Sequence, residues 1–337
     1  MKIAMMSFAH LHAVSYIRAL KQLDGVEVIA SDPDHSSRPE GEIGGPSLAA
    51  ELGVDYYDDY ATLLAQRPDG VIICSENAKH RELTELAAAA GAHVMSEKPI
   101  ATSTADARAM IEACRKADRY LMVAYPVRFS SAFAATKAAY DAGSLGQVLA
   151  VTGTNNGRIP LDARSWFVDP ELAGGGSLAD HTVHVADLLD SLFDGTRAAE
   201  VYASVNKILH ADKVEVETGG LVSIRYANGV LATIDCSWSK PPNYPTWGGL
   251  TLQLVGTGGI ADMDAFNSRV DGFSELDRKS LWLAYGRDAD AQLVGEFVSA
   301  IREGRPPQPD GEAGLRSMEI VEAAYQSVRT GAPVAIG

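Results

Sequence analysis

The feature that most constrains the fold is a regular alternation of short apolar runs and helical patterns over the first 125 residues. The predicted strands are Ile3–Met6, Val26–Ala30, Gly70–Cys74, Ala92–Ser96 and Tyr120–Ala124. The predicted helices between them are Ala13–Gln22, Ser47–Leu52, Tyr60–Gln66, Arg81–Ala90 and Ser103–Ala117. Strands separated by helices of this length form βαβ units. We therefore predict an α/β domain with a doubly wound parallel sheet over residues 1–125.

The pattern changes after about residue 145, where strand-length runs follow one another without helices. These runs are "QVLAVTGTN", "AEVYASVNKIL", "GGLVSIRYANGVLATIDCSW" and "LTLQLVGTGGIADM". Asn228-Gly229 is a strong hairpin signal, so residues 126–337 are predicted to form an α+β domain with a large, mostly antiparallel open sheet. Two helices, Ala289–Arg302 and Glu312–Thr330, are expected to close the chain. An open sheet face of this size needs a cover, which favours a homodimer or homotetramer formed through it.

Charge and cysteine content limit the partners. The net charge of −15 comes from 44 acidic and 29 basic residues, and such a surface repels nucleic acid and anionic lipid. The cysteines Cys74, Cys114 and Cys236 are far apart and form no CxxC pair, which fits a reducing cytoplasm. No apolar run approaches the roughly 20 residues of a membrane span, and we expect no signal peptide before the first strand. We expect a cytoplasmic protein with a small-molecule ligand.

The first βα turn lacks the glycines of a dinucleotide-binding fingerprint. The G-x-G-x-x-G pattern would place glycine at positions 7, 9 and 12, where this chain has Ser7, Ala9 and His12. Ser7 and Ala9 are small enough for a phosphate to approach the backbone, whereas His12 changes how the helix packs on the strand. We expect His10 or His12 to lie near the pyrophosphate or nicotinamide and to offer a ring N–H in compensation. The alternative is a packing or surface role.

A second glycine-rich stretch, "GTGGIA" at residues 256–261, matches G-x-G-x-x-A literally. No amphipathic helix follows it, and Leu281, rather than an acid, stands twenty residues beyond Ala261. We therefore predict a connection between two strands here and no cofactor site.

Polar residues at the ends of predicted strands are candidates for cofactor contact, because ligands of doubly wound sheets bind beyond the carboxyl ends of the strands. Asp32 stands twenty residues after His12, the spacing of the acid that binds the adenosine ribose of NAD. Its alternative role is an Asp-Pro turn. Arg38 is placed to accept a 2′-phosphate, which keeps NADP as the alternative to NAD. After the third predicted strand, cofactor contact or helix capping is expected for Ser75, Asn77 and His80.

Two further motifs carry groups suited to acid–base chemistry. Lys98, in Glu97-Lys98-Pro99, leaves a predicted strand and is placed to polarise a hydroxyl or carbonyl oxygen, unless this is a surface loop. Asp180 and His184 stand one helical turn apart in "GGGSLADHTVHVADLLDSLF". A carboxylate there orients the imidazole and stabilises its protonated form, as a general base near neutral pH requires. The alternatives are an S-x-x-D helix cap and a metal pair of His181 with His184.

Taken in order along the chain, these landmarks resemble the glucose–fructose oxidoreductase/inositol dehydrogenase (Gfo/Idh/MocA) family. They are the N-terminal βα unit, Asp32, the Asn77 and His80 segment, Glu97-Lys98-Pro99, "YPVRF" at 125–129 and Gly174–His184. The similarity covers nearly the whole chain. It implies a Rossmann domain, an open-sheet C-terminal domain, an NAD or NADP cofactor, and a sugar, polyol or derivative as substrate.

The resemblance also implies roles for single residues. The active-site lysine, aspartate and histidine of the family correspond to Lys98, Asp180 and His184. Arg128 corresponds to an arginine that contacts substrate or cofactor, and Trp166 to an aromatic wall of the sugar site. We further expect Glu97 to contact the cofactor and His181 to contact the substrate.

The expected reaction moves hydride from a secondary hydroxyl to the nicotinamide. The proton goes to His184, held by Asp180, while Lys98 stabilises the alkoxide; Lys98 is the alternative proton acceptor. A second hypothesis is an enzyme that retains NAD and catalyses redox-neutral elimination, hydrolysis or epimerisation of a glycoside. A third is a non-catalytic sugar- or nucleotide-binding regulator, which the intact catalytic set argues against.

Overall fold

The computed structural model describes residues 1–276 and 278–337, which fold into two compact units. The first unit comprises residues 1–126, 160–174 and 290–318. The second comprises residues 127–159, 175–289 and 319–337.

The bounds of the α-helices and β-strands are as follows. The helices are α1 (His12–Leu20), α2 (Gly45–Leu52), α3 (Tyr60–Leu64), α4 (His80–Ala89), α5 (Thr104–Lys116), α6 (Ser131–Asp141), α7 (Pro170–Ala173), α8 (Ser177–Leu192), α9 (Ala289–Glu303) and α10 (Gly311–Thr330). The strands are β1 (Lys2–Met6), β2 (Glu27–Ser31), β3 (Asp55–Tyr56), β4 (Gly70–Ile73), β5 (His93–Glu97), β6 (Leu121–Ala124), β7 (Val148–Asn156), β8 (Ala198–Asn206), β9 (Gly219–Tyr226), β10 (Leu231–Ser237), β11 (Leu250–Gly256), β12 (Gly259–Asp264), β13 (Arg269–Ser274), β14 (Lys279–Ala284) and β15 (Val334–Ala335).

The first unit is built on a parallel sheet with strand order β3-β2-β1-β4-β5-β6. β1 lies between β2 and β4, and its residues from Ile3 to Met6 are completely buried, as an apolar central strand requires. The order reverses beside β1, so the carboxyl ends of β1 and β4 flank the point where doubly wound sheets bind their ligands. The predicted fold class is confirmed. The two-residue strand β3 was not predicted, because so short a segment carries no periodicity.

The second unit is built on a sheet with strand order β12-β11-β7-β10-β9-β8-β15. Its neighbours are antiparallel except for the parallel pair β7 and β10, so the prediction of a mostly antiparallel sheet is confirmed. Asn228-Gly229 connects β9 to β10 in a hairpin. Gly256 and Gly259 face each other where β11 turns into β12, which confirms that "GTGGIA" is a strand connection. Sequence reasoning missed α6 and the β13–β14 hairpin.

One face of this second sheet packs against α8. The buried face carries Val222, Ile224 and Ile234, whereas Leu221 and Leu231 on the other face are more than half exposed. Gly153 in β7 allows the close approach of α8, since a Cβ atom there would lie 2.6 Å from Cγ1 of Val185. The helix that carries Asp180 and His184 is therefore seated directly on the sheet.

In the described ranges, no helix combines the length and the apolar character that crossing a membrane would need.

Replacing Gly153 by alanine should destabilise the protein by about 1–3 kcal/mol, because the added methyl group overpacks the contact with Val185. Urea unfolding monitored by circular dichroism measures the change. Gly219→Ala is the matched control, since a Cβ atom at this position in the same sheet would meet its nearest neighbour at an ordinary 3.7 Å. Equal stability of the two variants would contradict the packing argument.

Candidate functional site

The turn between β1 and α1 keeps the backbone shape of a nucleotide-binding turn at its first position. Ser7 has φ +70°, in the left-handed region that favours glycine. Its Oγ atom donates to Asp32 and accepts hydrogen bonds from the amide of Ala9 and the guanidinium of Arg38. These bonds offset the strain of a non-glycine residue in this conformation. Ser7 thus stands where the first glycine was expected and adopts its conformation.

Four backbone amides of this turn are already bonded within the protein. The pairs are Phe8 N to Asp32 Oδ1 (3.0 Å), Ala9 N to Ser7 Oγ (3.1 Å), His10 N to Cys74 O (2.8 Å) and His12 N to His10 Nδ1 (3.1 Å). In the glycine-rich form of the turn, such amides bind the pyrophosphate. Here these four amides are engaged, so the imidazole rings of His10 and His12 become candidates for a further donor.

A segment of the first unit, residues 160–174, fixes the carbonyl groups of the same turn. Arg164 is buried, and its Nε atom donates to the carbonyl oxygen of Ala9 at 2.8 Å. The Nε1 atom of Trp166 donates to the same oxygen at 3.0 Å, and its indole stacks on Phe167. Trp166 therefore supports the turn, and its predicted contact with a sugar stays a prediction. Sequence reasoning missed Arg164, although it is two residues before Trp166.

Asp32 lies at the end of β2 as predicted, but protein groups surround its carboxylate. Arg38 donates to both carboxylate oxygens, at 2.6 and 2.9 Å, and the amide of Gly45 donates at 2.8 Å. Burial alone would raise the pKa of Asp32, but the hydrogen bonds and charge of Arg38 outweigh it and hold this pKa below its usual value. The carboxylate is therefore ionised and faces its own chain. Its contact with a ribose stays a prediction.

The surroundings of Asp32 nevertheless fit a ligand with hydroxyl groups. The Nε atom of Arg38 and the Oγ atom of Ser31 are buried and have no hydrogen-bond partner in the part of the chain that the structure describes. Both residues flank the end of β2, where Rossmann domains bind the adenosine ribose of their cofactor. Buried polar groups normally have partners, so unpaired ones at this position fit the polar face of a nucleoside.

His10, His12 and Glu97 form a cluster at the carboxyl end of β5. Oε1 of Glu97 lies 2.9 Å from Nδ1 of His12 and 3.8 Å from Nδ1 of His10, and Oε2 accepts from the amide of Lys98 at 3.1 Å. Burial would raise the pKa of Glu97, but the two histidines and Lys98 outweigh it and lower this pKa far below its usual range. For His12, burial lowers the pKa, but Glu97 more than compensates and raises it. The sequence placed these residues in separate motifs.

The predicted residues after β4 are engaged in protein contacts. Ser75 Oγ donates to the carbonyl oxygen of Glu76, and Nδ2 of Asn77 donates to the carbonyl oxygen of Ala173 at 2.8 Å. His80 is fully buried, and its Nδ1 atom lies 3.0 Å from the carbonyl oxygen of Pro99. Burial lowers the pKa of His80, so the neutral ring supports the turn after Lys98. Contact of these residues with a cofactor stays a prediction.

The glycine-rich turn before α8 is shaped by Glu217. This carboxylate accepts from the amides of Gly176 and Leu178 and from the hydroxyl of Tyr325. A Cβ atom at Gly176 would lie 2.1 Å from the carbonyl oxygen of Glu217, so only glycine fits. Because Ser177 is the first helical residue and the cap residue is Gly176, an S-x-x-D capping box is not formed. Asp180 is therefore not used to cap the helix.

The Asp180 carboxylate is oriented within the second unit by Trp238 and His181. Nε1 of the buried Trp238 donates to Oδ2 of Asp180 at 3.1 Å. The same oxygen lies 3.2 Å from Nε2 of His181, the next residue along α8. His184 stands one turn further along the helix and is partly exposed. Trp238 at the end of β10 is a residue that sequence reasoning missed, since no motif links it to Asp180.

Arg128 is held by α8. Its guanidinium donates to both carboxylate oxygens of Asp187, at 2.5 and 3.1 Å, and lies 3.6 Å from Asp190. This pairing connects the segment before α6 to the helix that carries Asp180. A contact of Arg128 with substrate or cofactor stays a prediction.

Two parts of the chain match one family of known proteins. Residues 7–125 match an oxidoreductase family with an NAD-binding Rossmann fold, and residues 133–262 match the GFO/IDH/MocA C-terminal domain. The chain is 33% identical to 1,5-anhydro-D-fructose reductase of Ensifer adhaerens over 302 residues, which cover 85% of this chain and 86% of that protein. The chain belongs to the GFO/IDH/MocA oxidoreductase family. The resemblance seen in the sequence is confirmed, and with it an NAD-binding Rossmann domain.

A further relative and a solved structure are also similar to this chain. Myo-inositol 2-dehydrogenase of Thermotoga maritima is 28% identical over 295 residues, 83% of this chain and 84% of that protein. The crystal structure of GenD2 from gentamicin A biosynthesis in complex with NAD superposes with a TM-score of 0.88 at 23% identity. The superposition covers 100% of this chain and 96% of the GenD2 chain. At this identity the superposition shows a common fold.

Replacing Arg38 by methionine should destabilise the enzyme by about 3–5 kcal/mol at pH 7, because the Asp32 carboxylate would be left buried without its partner. In the wild type, the lowered pKa of Asp32 adds stability that is present above the unfolded-state pKa of 3.8 and is lost as the pH falls through the folded-state pKa. Urea unfolding at several pH values measures both effects.

Arg81→Met is the matched control for this change. Arg81 pairs with Asp106 and Glu85 at the surface of the same unit, where a broken ion pair should cost little stability. If Arg38→Met were as stable as Arg81→Met, the pair of Arg38 with Asp32 would not hold the turn together.

Proposed function

We propose that this oxidoreductase oxidises a secondary hydroxyl of a sugar, cyclitol or sugar derivative with NAD, or reduces the corresponding ketone. The observation that carries the proposal is the retention of Lys98, Asp180 and His184 in a chain similar over most of its length to an anhydrofructose reductase and an inositol dehydrogenase. Both relatives are named for oxidation or reduction of a sugar or cyclitol. They favour this reaction over a redox-neutral one and over a non-catalytic regulator.

Residues 1–125 are proposed to bind the cofactor, and residues 126–337 to bind the substrate and to oligomerise. When NAD is bound, its nicotinamide ring supplies the acceptor or donor of the hydride. The residues proposed to hold it are Ser7, Ala9, His10, His12, Asp32, Ser75, Asn77, His80, Glu97 and Arg128. The rings of His10 and His12 are proposed to replace the four turn amides that are bonded within the protein. Arg38 keeps NADP as the alternative cofactor, since it neutralises the Asp32 carboxylate that would repel a 2′-phosphate.

The proton of the reacting hydroxyl is proposed to pass to Nε2 or Nδ1 of His184. Asp180 stands one helical turn before it and stabilises the imidazolium that forms, and Trp238 keeps the carboxylate in place. Lys98 stabilises the developing alkoxide through its ammonium group; in the alternative mechanism its neutral amine accepts the proton. General base catalysis by a placed side chain contributes about 10²–10⁴-fold to the rate.

The substrate is proposed to contact Lys98, Arg128, Trp166 and His181. The enzyme is further proposed to be cytoplasmic and to form a homodimer or homotetramer through the exposed face of the second sheet. This is supported by the exposed apolar side chains of Tyr202, Leu221 and Leu231. A subunit interface would remove this apolar surface from water. Sedimentation velocity of the purified chain measures the oligomeric state, and a monomer at all concentrations would refute this part.

A panel of sugars, cyclitols and their keto derivatives, assayed with NAD and with NADP, tests the proposed function. Formation or loss of the reduced cofactor is followed by its absorbance. We expect turnover with at least one polyhydroxylated substrate and a higher kcat/KM with NAD than with NADP. Products formed without net change in reduced cofactor would instead establish the redox-neutral reaction.

His184→Asn should lower kcat by about 10²–10⁴-fold, because the general base is lost while the volume of the side chain is nearly kept. The affinity for NADH, measured by fluorescence titration, should stay the same. His93→Asn, a change at a partly buried histidine at the start of β5, is the matched control and should leave kcat unaltered. If Lys98→Met lost its activity while His184→Asn remained active, the result would identify Lys98 as the proton acceptor.

A further inference from the structure

The His10, His12 and Glu97 cluster has the donor set of a metal site, a function that neither the family nor the proposed reaction assigns to it. Each residue offers one ligand atom, and these atoms lie within 4.8 Å of one another. Two imidazole nitrogens and one carboxylate oxygen are the donors found in many catalytic zinc sites. His10 and Glu97 are buried, and His12 is partly exposed, so an ion has a route into the cluster from the side of His12.

The spacing of these atoms suits a small divalent ion. Ligand bonds of about 2.0–2.2 Å at tetrahedral angles place neighbouring donor atoms roughly 3.4 Å apart. The separations from Oε1 of Glu97, 2.9 Å to His12 Nδ1 and 3.8 Å to His10 Nδ1, lie on either side of that value. The three donor atoms all lie within 4.8 Å of one another, so the side chains draw closer together around a bound ion.

Surrounding groups fix the orientation of the side chains in the cluster. The amide of His12 donates to the lone pair of His10 Nδ1, so the ring proton of His10 is on Nε2, and an ion bound at Nδ1 replaces this hydrogen bond. The amide of Lys98 donates to Oε2 of Glu97, which leaves Oε1 facing the two rings. The hydroxyl of Tyr16 lies 3.3 Å from Nδ1 of His12. Such outer contacts orient metal ligands and raise the affinity of a site.

We propose that His10, His12 and Glu97 together bind one divalent transition-metal ion, for which Zn²⁺ is the best match among common ions. Imidazole nitrogen favours Zn²⁺ over Mg²⁺ and Ca²⁺, which prefer oxygen donors. Three protein ligands leave a coordination position for water or for an oxygen atom of a bound small molecule. The ion takes the place of the proton shared by His12 and Glu97.

The test uses the untagged full-length enzyme, stripped of metal with a chelator and titrated with Zn²⁺ by calorimetry in the absence of cofactor and substrate. We expect one Zn²⁺ per chain. His12→Gln and Glu97→Gln should each weaken binding by at least about 100-fold, since loss of even an outer contact costs 10–100-fold. His93→Gln is the matched control, because His93 lies at the start of β5, outside the cluster, and its loss should leave the affinity unchanged.

Circular dichroism shows whether each variant is folded, and Co²⁺ provides a measurement on the wild type alone. Co²⁺ held by these three residues at low coordination number should give intense visible absorption bands, which added Zn²⁺ removes. Absence of stoichiometric Zn²⁺ binding, the spectrum of aqueous Co²⁺, or equal affinities in all variants would overturn the proposal. Since neither cofactor nor substrate is present, failure of the proposed reaction would not affect this result.

Discussion

The ion pair between Asp32 and Arg38 is the interaction on which the first βα turn depends. A buried carboxylate is stable only when charges and hydrogen bonds replace the water it has lost. Asp32 obtains them from Arg38, from the amides of Phe8 and Gly45 and from Ser7. One carboxylate thereby ties the end of β2 to the β1–α1 turn and to the start of α2. The β1–α1 turn and the end of β2 in the first unit therefore form as one structure.

This arrangement explains how the chain manages without a glycine fingerprint. Glycines normally let the backbone of the turn approach a pyrophosphate. Here, Ser7 takes the left-handed conformation itself, and Arg164 and Trp166 bind the carbonyl of Ala9 from outside the turn. Four amides of the turn are bonded within the protein, and the imidazoles of His10 and His12 lie in the same turn. The chemistry of the turn has changed from neutral amide donors to titratable rings beside a buried carboxylate.

The sequence predicted the elements far better than the contacts between them. Apolar runs bounded by turn residues gave β1, β2, β4, β5 and β6 to within one or two residues, because strand burial leaves a local pattern. The helix α6 was missed, since its hydrophobic face is weak, with Phe133 as its buried residue. For the site, Lys98, Asp180 and His184 were predicted as members of motifs. Trp238, Arg164 and Glu217 were not, because each acts on a motif from a distant part of the chain.

The sequence by itself determined the fold class, the family and the positions of the candidate catalytic side chains. These are properties of periodicity and of short motifs, which are written in neighbouring residues. The tertiary structure alone decided which polar groups meet: that Asp32 faces Arg38, that Glu97 faces two histidines, and that Asp180 is held by Trp238. The physical reason is that burial forces each charged or polar group to find a partner, and for Glu97 and Asp180 that partner lies on an element far away in the chain.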